Sequence, residues 1–240
     1  MEGVWVRSDY INDLIKTRSP YLSRSGLRDV ASIMIKMPDG KSDSVNVGYS
    51  LNNHEGAEFV MYFKTRQLPT SLKLSLPDYD IISNFYELGY SVRERDTALI
   101  LYHYNKTNQV IDKTVYTKVA DKATDKNDAG WGITYITHKK LIVGKYLMSD
   151  SKGHRSIVEF ADNNQVHGFL DFKTYYVNAD FEAGPENNLD EIDFNINTKK
   201  QKGFTFKFSA GTLNLYDTKE NADSTLLLIG KLRYKLVRQK

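Results

Sequence analysis

The sequence has no cysteine, only five prolines among its 240 residues, and no apolar run approaching the ~18 residues that a membrane-spanning helix needs. The missing cysteine excludes disulfides, thiolate metal sites and cysteine nucleophiles. The missing apolar run excludes a transmembrane helix. Charge of one sign is lacking too: 33 Lys and Arg face 30 Asp and Glu, a net of +3. Basic residues alternate with acidic ones instead of gathering into a stripe, which argues against a nucleic-acid partner. No H-x-H or H-E-x-x-H spacing marks a zinc site, and no G-x-S-x-G elbow, Walker loop or dinucleotide fingerprint is present. No metal or cofactor is expected.

What the chain does have is aromatic residues, 16 Tyr and 11 Phe, within a 40% apolar composition. That favours strands over helices and supplies a core. One helix is expected at 9–16, where Ser8 or Asp9 can cap the start and Tyr10, Ile11, Leu14 and Ile15 share a face. Ser19-Pro20 ends it, because the residue before proline avoids helical ψ. A helix this short must dock on something larger.

From Val30 onward, short β-like runs are separated by Asn, Asp and Gly clusters, the pattern of an up-and-down sheet. They cover 30–37, 44–50, 57–64, 72–76, 86–94, 98–104, 110–119, 141–148, 156–160, 165–176, 191–196, 204–208, 213–216 and 226–237. Several alternate cleanly: Phe204, Phe206 and Phe208 against Thr205 and Lys207; Leu232, Tyr234 and Leu236 against Arg233 and Lys235. Period-two alternation implies one buried and one wet face, hence an antiparallel sheet. No repeat stands out at a fixed period. The stretch 120–130 (ADKATDKNDAG) reads as either a domain linker or a loop inside one barrel. The strand-like ends, opening on Gly3-Val4-Trp5 and closing on a basic strand, favour one all-β antiparallel up-and-down barrel over 1–240, with more than eight strands and one short N-terminal helix.

Gly3-Val4-Trp5, the helix after it, the hairpin series and the basic last strand resemble the lipocalin-like (calycin-type) barrels, in the form found in bacterial lipoproteins. The resemblance implies that Gly3 and Trp5 close one end of the barrel under a basic side chain from near the C-terminus. Arg238 is the first choice for that side chain and Arg233 the second. Cation–π contact supplies the attraction. The resemblance also implies an envelope location, periplasmic or surface-exposed, with the leader removed and a lipid anchor in the precursor. Met1-Glu2 carries no leader of its own.

Among the five histidines, His54, His138 and His154 fall in turn-like contexts, while His103 stands between Tyr102 and Tyr104 on a strand that can face a cavity. Asp125, Asn127 and Gly130 imitate half of a calcium loop, but Ile136 stands where the bidentate Glu belongs, so a turn is expected. Glu87, Glu94, Glu159, Asp171 and Glu191 are carboxylates whose pairing depends on strand register. Asn105-Lys106-Thr107 reads as a hairpin turn. Trp131, between glycines, either opens a strand at 133–137 and seals the core or stands exposed as a flat platform.

The functional expectation is non-catalytic carriage of a small apolar or amphipathic molecule inside the barrel, since more than eight strands leave room inside. Tyr102, His103, Tyr104, Phe172, Tyr176, Phe204 and Phe206 are the candidate ligand residues. The alternative is a surface module that holds a glycan or a protein on outward Tyr rings and Trp131, with no internal ligand.

Overall fold

The structure, a computed structural model, describes residues 1–93, 96–123, 128–149, 155–182 and 187–239. Glu94, His154 and the Asp125 and Asn127 of the calcium-like stretch lie outside the described residues. The chain forms two compact units, one of Met1–Ile11 with Gly26–Ile133 and one of Asn12–Ser25 with Thr134–Lys240.

The first unit is a closed eight-stranded antiparallel barrel in sequential order. Its strands are β1 (Gly3–Arg7), β2 (Val30–Ile35), β3 (Ser44–Leu51), β4 (Glu55–Thr65), β5 (Ser71–Leu74), β6 (Phe85–Arg93), β7 (Asp96–Tyr104) and β8 (Val110–Ala120). β1 pairs with both β2 and β8, which closes the ring. Alternation then sorts the faces. Leu88 opposes Leu101 and points inward, whereas Glu87 opposes Tyr102, which opposes exposed Lys113, on the outer face. The interior is occupied by side chains that include Trp5, Ile33, Met61, Leu88, Leu101 and Tyr116.

The second unit holds β9 (Gly144–Ser149), β10 (Arg155–Phe160), β11 (Val166–His167), β12 (Tyr175–Val177), β13 (Glu191–Phe194), β14 (Lys202–Ser209), β15 (Thr212–Glu220) and β16 (Leu227–Arg238). They form one eight-stranded sheet in which β16 lies beside β9. Its outer strands β11 and β12 meet through a single bridge, Gln165 to Thr174. Val166 N–H donates to Lys173 and Tyr175 N–H to Asn164, each at 2.9 Å. Every strand therefore meets its sequence neighbour and the last meets the first. The inside is aromatic: Phe172 stacks on Phe194 at 4.6 Å, and Phe160, Phe169, Tyr175 and Phe204 join the cluster.

The expected single barrel over 1–240 is corrected. The first strand does not pair with the last; β1 closes on β8 and β16 closes on β9. Among the described residues sixteen strands are divided into two sets of eight instead of one wide ring. Ala120 ends β8, and the two units part between Ile133 and Thr134.

The helix α1 (Ser8–Thr17) forms as expected, with Tyr10, Ile11 and Leu14 buried, although Ile15 is half exposed. α2 (Pro20–Ser23) follows directly. Ser19 accepts from Leu22 N–H at 3.0 Å, and Pro20 sits in the first turn, where its missing N–H costs nothing. Residues 133–137 are not a strand: they belong to α3 (Trp131–Thr137), which runs on into a wider turn at His138–Ile142.

Candidate functional site

At the closing end of the first barrel a cation lies over Trp5, but it is neither Arg238 nor Arg233. Trp5 is fully buried and its indole N–H donates to the Met1 carbonyl at 2.9 Å. Trp5 pairs across the ladder with Lys118 on β8, whose ammonium lies 5.2 Å from the ring centre. Gly3 has φ +130°, and a Cβ there would fall 2.5 Å from the Ala120 carbonyl and 3.2 Å from Lys118 Cε.

The second unit repeats this arrangement. Tyr146 is fully buried, donates to the Ile142 carbonyl at 2.7 Å, pairs with Arg238 and has that guanidinium 5.4 Å from its ring centre. Gly144 has φ +146°, and a Cβ there would come within 3.4 Å of Arg238 Nε. Arg238 also donates to the Val143 carbonyl at 2.6 Å. Arg238 therefore lies over Tyr146 and not over Trp5, where the resemblance had it. Arg233 does not share it, because its Nε donates to Asp217 at 2.7 Å on the outer face.

The candidate ligand residues are dispersed. Phe172, Phe204 and Phe206 are buried in the second core, and Tyr176 opposes Asp193 on the other face of its strand. Tyr102 and Tyr104 lie on the outer face of the first barrel, where Tyr104 stacks on Phe85 at 5.1 Å. Of that trio only His103 has inward parity, at the barrel mouth. Its Nε2 bonds Asp78 at 2.8 Å and its ring stacks on Tyr86 at 4.3 Å. Asp78 also accepts from the Asp80 and Ile81 N–H groups and from Asn84. With the Ile81 bond as the largest cause, its pKa falls to about 2. Beside it, between Leu51, Leu76, Asp78 and Tyr86, is a hollow of about 150 Å³. Trp131 is half-buried at the start of α3.

A larger hollow, about 630 Å³, lies on the first barrel between Asp43, Tyr62, Phe63, Lys64, Arg66 and Lys73. Its shape comes from an irregularity. The β4–β5 register shifts between Tyr62 and Thr65, and residues 66–70, the strap that joins β4 to β5, reach Glu87 on the outer face of β6. Under the strap lies Glu87, an outward-facing carboxylate with no exposed surface. It accepts from Ser71 Oγ at 2.5 Å and from Gln67 N–H at 3.3 Å. Arg66 Nε stands 4.0 Å from it, and the guanidinium lies over Phe85 at 4.3 Å. The Lys73 ammonium lies 5.4 Å from the Tyr62 ring centre. Sequence reasoning missed this site. Tyr62-Phe63-Lys64-Thr65-Arg66 is an aromatic and basic run, but the bulge that turns it into a wall is not visible in alternation.

Other chemistry is sparse. Among the described residues no three His, Cys, Asp or Glu side chains are grouped to hold a metal. The candidate carboxylates do not pair with one another among the described residues: Glu159 faces Lys145 at 3.6 Å and Asp171 faces Lys200 at 2.9 Å. Glu191 has Asp193 as neighbour, and burial first, then that charge, raises its pKa to about 7. His138, expected in an exposed turn, is buried: its Nε2 accepts from Val177 N–H at 2.9 Å, so Nδ1 carries the proton donated to Asn164 at 2.7 Å. No protein-family model matches this chain, and no curated protein sequence matches it.

Proposed function

We propose that this protein is a non-catalytic binding module that takes its ligand on the outer wall of its first barrel. One observation carries the reading: the interior is occupied by its own side chains, whereas the outer wall holds a hollow of about 630 Å³. That volume falls within the roughly 300–1,000 Å³ of small-molecule and cofactor sites. Carriage of a small apolar molecule through the mouth is the second reading, favoured by the apolar walls that Leu51 and Leu76 give the hollow of about 150 Å³ there. That space is well below the same range.

A lipocalin-like kinship accompanies this proposal. It is supported by the closed eight-stranded ring and by Lys118 over Trp5. A place at the bacterial cell envelope rests on the resemblance alone.

The test sets a panel of oligosaccharides and soluble proteins against fluorescent fatty-acid and retinoid-like probes. The expected result is saturable binding from the panel that the Lys73→Glu substitution alters, and no saturable signal from the lipophilic probes. Saturable probe binding lost on Leu76→Trp, with no panel member bound, would overturn the outer-wall reading in favour of carriage.

A further inference from the structure

The geometry points to an acidic oligosaccharide as the ligand of the outer-wall groove, held by Arg66, Lys64 and Lys73 through its carboxylates and by the Tyr62 ring through a sugar face. This deepens the outer-wall reading and rests on it. Charge is the first argument. Three cations and one carboxylate, Asp43, line the groove, and no acid lies within ion-pair distance of Lys64 or Lys73 among the described residues. Such uncompensated charge around a concave wall attracts anions.

Preset geometry is the second argument. Arg66 is held at two points before any ligand arrives. Its guanidinium carbon lies over the Phe85 ring, 4.3 Å from the centre, and the buried Glu87 lies 4.0 Å from its Nε. Glu87 in turn is fixed by Ser71 of β5 and by Gln67 of the strap. A guanidinium fixed on one edge and one face presents its remaining N–H groups as a fork suited to a carboxylate. Glu87 and Phe85 are positioning residues; Arg66 is the group that meets the ligand.

Ligand class follows from what surrounds the cations. Tyr62 and Phe63 are both over a third exposed at the groove, a flat apolar area of the kind that stacks on pyranose faces. Thr65 and Asp43 add a hydroxyl and a carboxylate, which accept from ligand hydroxyls. A bare phosphate would leave the rings and Asp43 unused, and a polyanion without hydroxyls would meet Asp43 as repulsion. A chain of uronate residues uses every group.

The test is calorimetric titration of the full chain with hexagalacturonate, with neutral maltohexaose, and with vesicles of 30% phosphatidylglycerol as a lipid-borne anion. Hexagalacturonate is expected to bind, at least tenfold more weakly when salt rises from 50 to 300 mM. The exposed Lys64→Glu and Lys73→Glu variants are expected to lose at least tenfold each, with unchanged thermal unfolding. Tyr62→Ala is expected to lose a similar factor. Equal binding of maltohexaose overturns the acidic assignment while leaving the outer-wall module standing. Binding of the vesicles alone, lost in the same variants, overturns the sugar assignment in favour of an anionic surface. Hexagalacturonate binding that ignores all three substitutions, or no binding of any probe, overturns the site.

Discussion

The Arg238 guanidinium lies 5.4 Å from the centre of the Tyr146 ring, the relationship Lys118 has with Trp5 at 5.2 Å. Both cations come from the last strand of an eight-strand set and both rings from the first, two residues after a glycine at positive φ. Both rings donate to the carbonyl four residues earlier. The repeat is one of geometry, with Trp replaced by Tyr and Lys by Arg. Each ring fills the point where a sheet closes on itself. Trp5→Ala and Tyr146→Ala are each expected to cost about 3–5 kcal/mol, read from urea midpoints. Lys118→Leu and Arg238→Leu are expected to cost about 0.5–2 kcal/mol, since contact with the ring is retained and only the cation is lost. A ring truncation costing under about 1 kcal/mol would contradict the closing role.

The neutral His138 gives the second unit an acid limit. Its Nε2 accepts from Val177 on β12 and its Nδ1–H reaches Asn164 in the turn before β11, so it ties together the two strands that meet through a single bridge. Burial lowers its pKa from 6.5 to about 4, and a second proton, on Nε2, would set that N–H against the Val177 N–H. The unfolded chain therefore binds the proton first. Its contribution is complete above about pH 6.5 and is lost as the pH falls toward 4, on the order of 3 kcal/mol. In a Glu191→Gln background, which removes the opposite contribution of that carboxyl, urea midpoints should fall from pH 7 to pH 4, and adding His138→Gln should flatten the fall. A fall just as steep with and without His138 would rule out the buried neutral ring.

Glu191 acts with the opposite sign. Burial and the neighbouring Asp193 raise its pKa from 4.5 to about 7, so the folded state holds a proton that the unfolded chain has released. Stability is present below about pH 4.5 and is lost as the pH rises through 7. Glu191→Gln, which keeps the shape without the charge, should leave stability at pH 4.5 unchanged and raise it at pH 8. A loss at pH 8 would show that the ionised carboxylate has a favourable partner.

Strand content and the antiparallel pattern were legible because alternation is a local signal. Phe204 and Phe206 on β14 and Leu236 on β16 could be placed on buried faces from period two alone. Closure was not legible, because it depends on which strands hydrogen-bond. Nothing local in Gly144-Lys145-Tyr146 announces that β9, not β1, receives the last strand. The inward face of β7 was likewise open until register fixed Leu101 inside and Tyr102 outside, which left His103 alone of its trio at the mouth. The groove was hidden for a different reason. A register shift between Tyr62 and Thr65 breaks the very periodicity that sequence reading relies on.

Glu87 is the residue on which the groove's shape turns. An outward strand position would ordinarily be wet, yet this carboxylate is fully covered by the strap it holds, through Ser71 Oγ and Gln67 N–H, with Arg66 as its cation. Glu87→Ala removes a charged acceptor from two donors and is expected to cost roughly 3 kcal/mol in urea unfolding. Arg66→Ala alone should cost less, about 1 kcal/mol, because the guanidinium is partly exposed and screened. The double variant should lose less than the sum of the singles, since each single strands the other group. Proteolysis gives an independent reading: in Glu87→Ala the strap should become a preferred tryptic site at Arg66, while the remaining strands stay resistant. Additive losses, with Arg66 as resistant as in the parent protein, would show that the strap is held by something other than this buried acid.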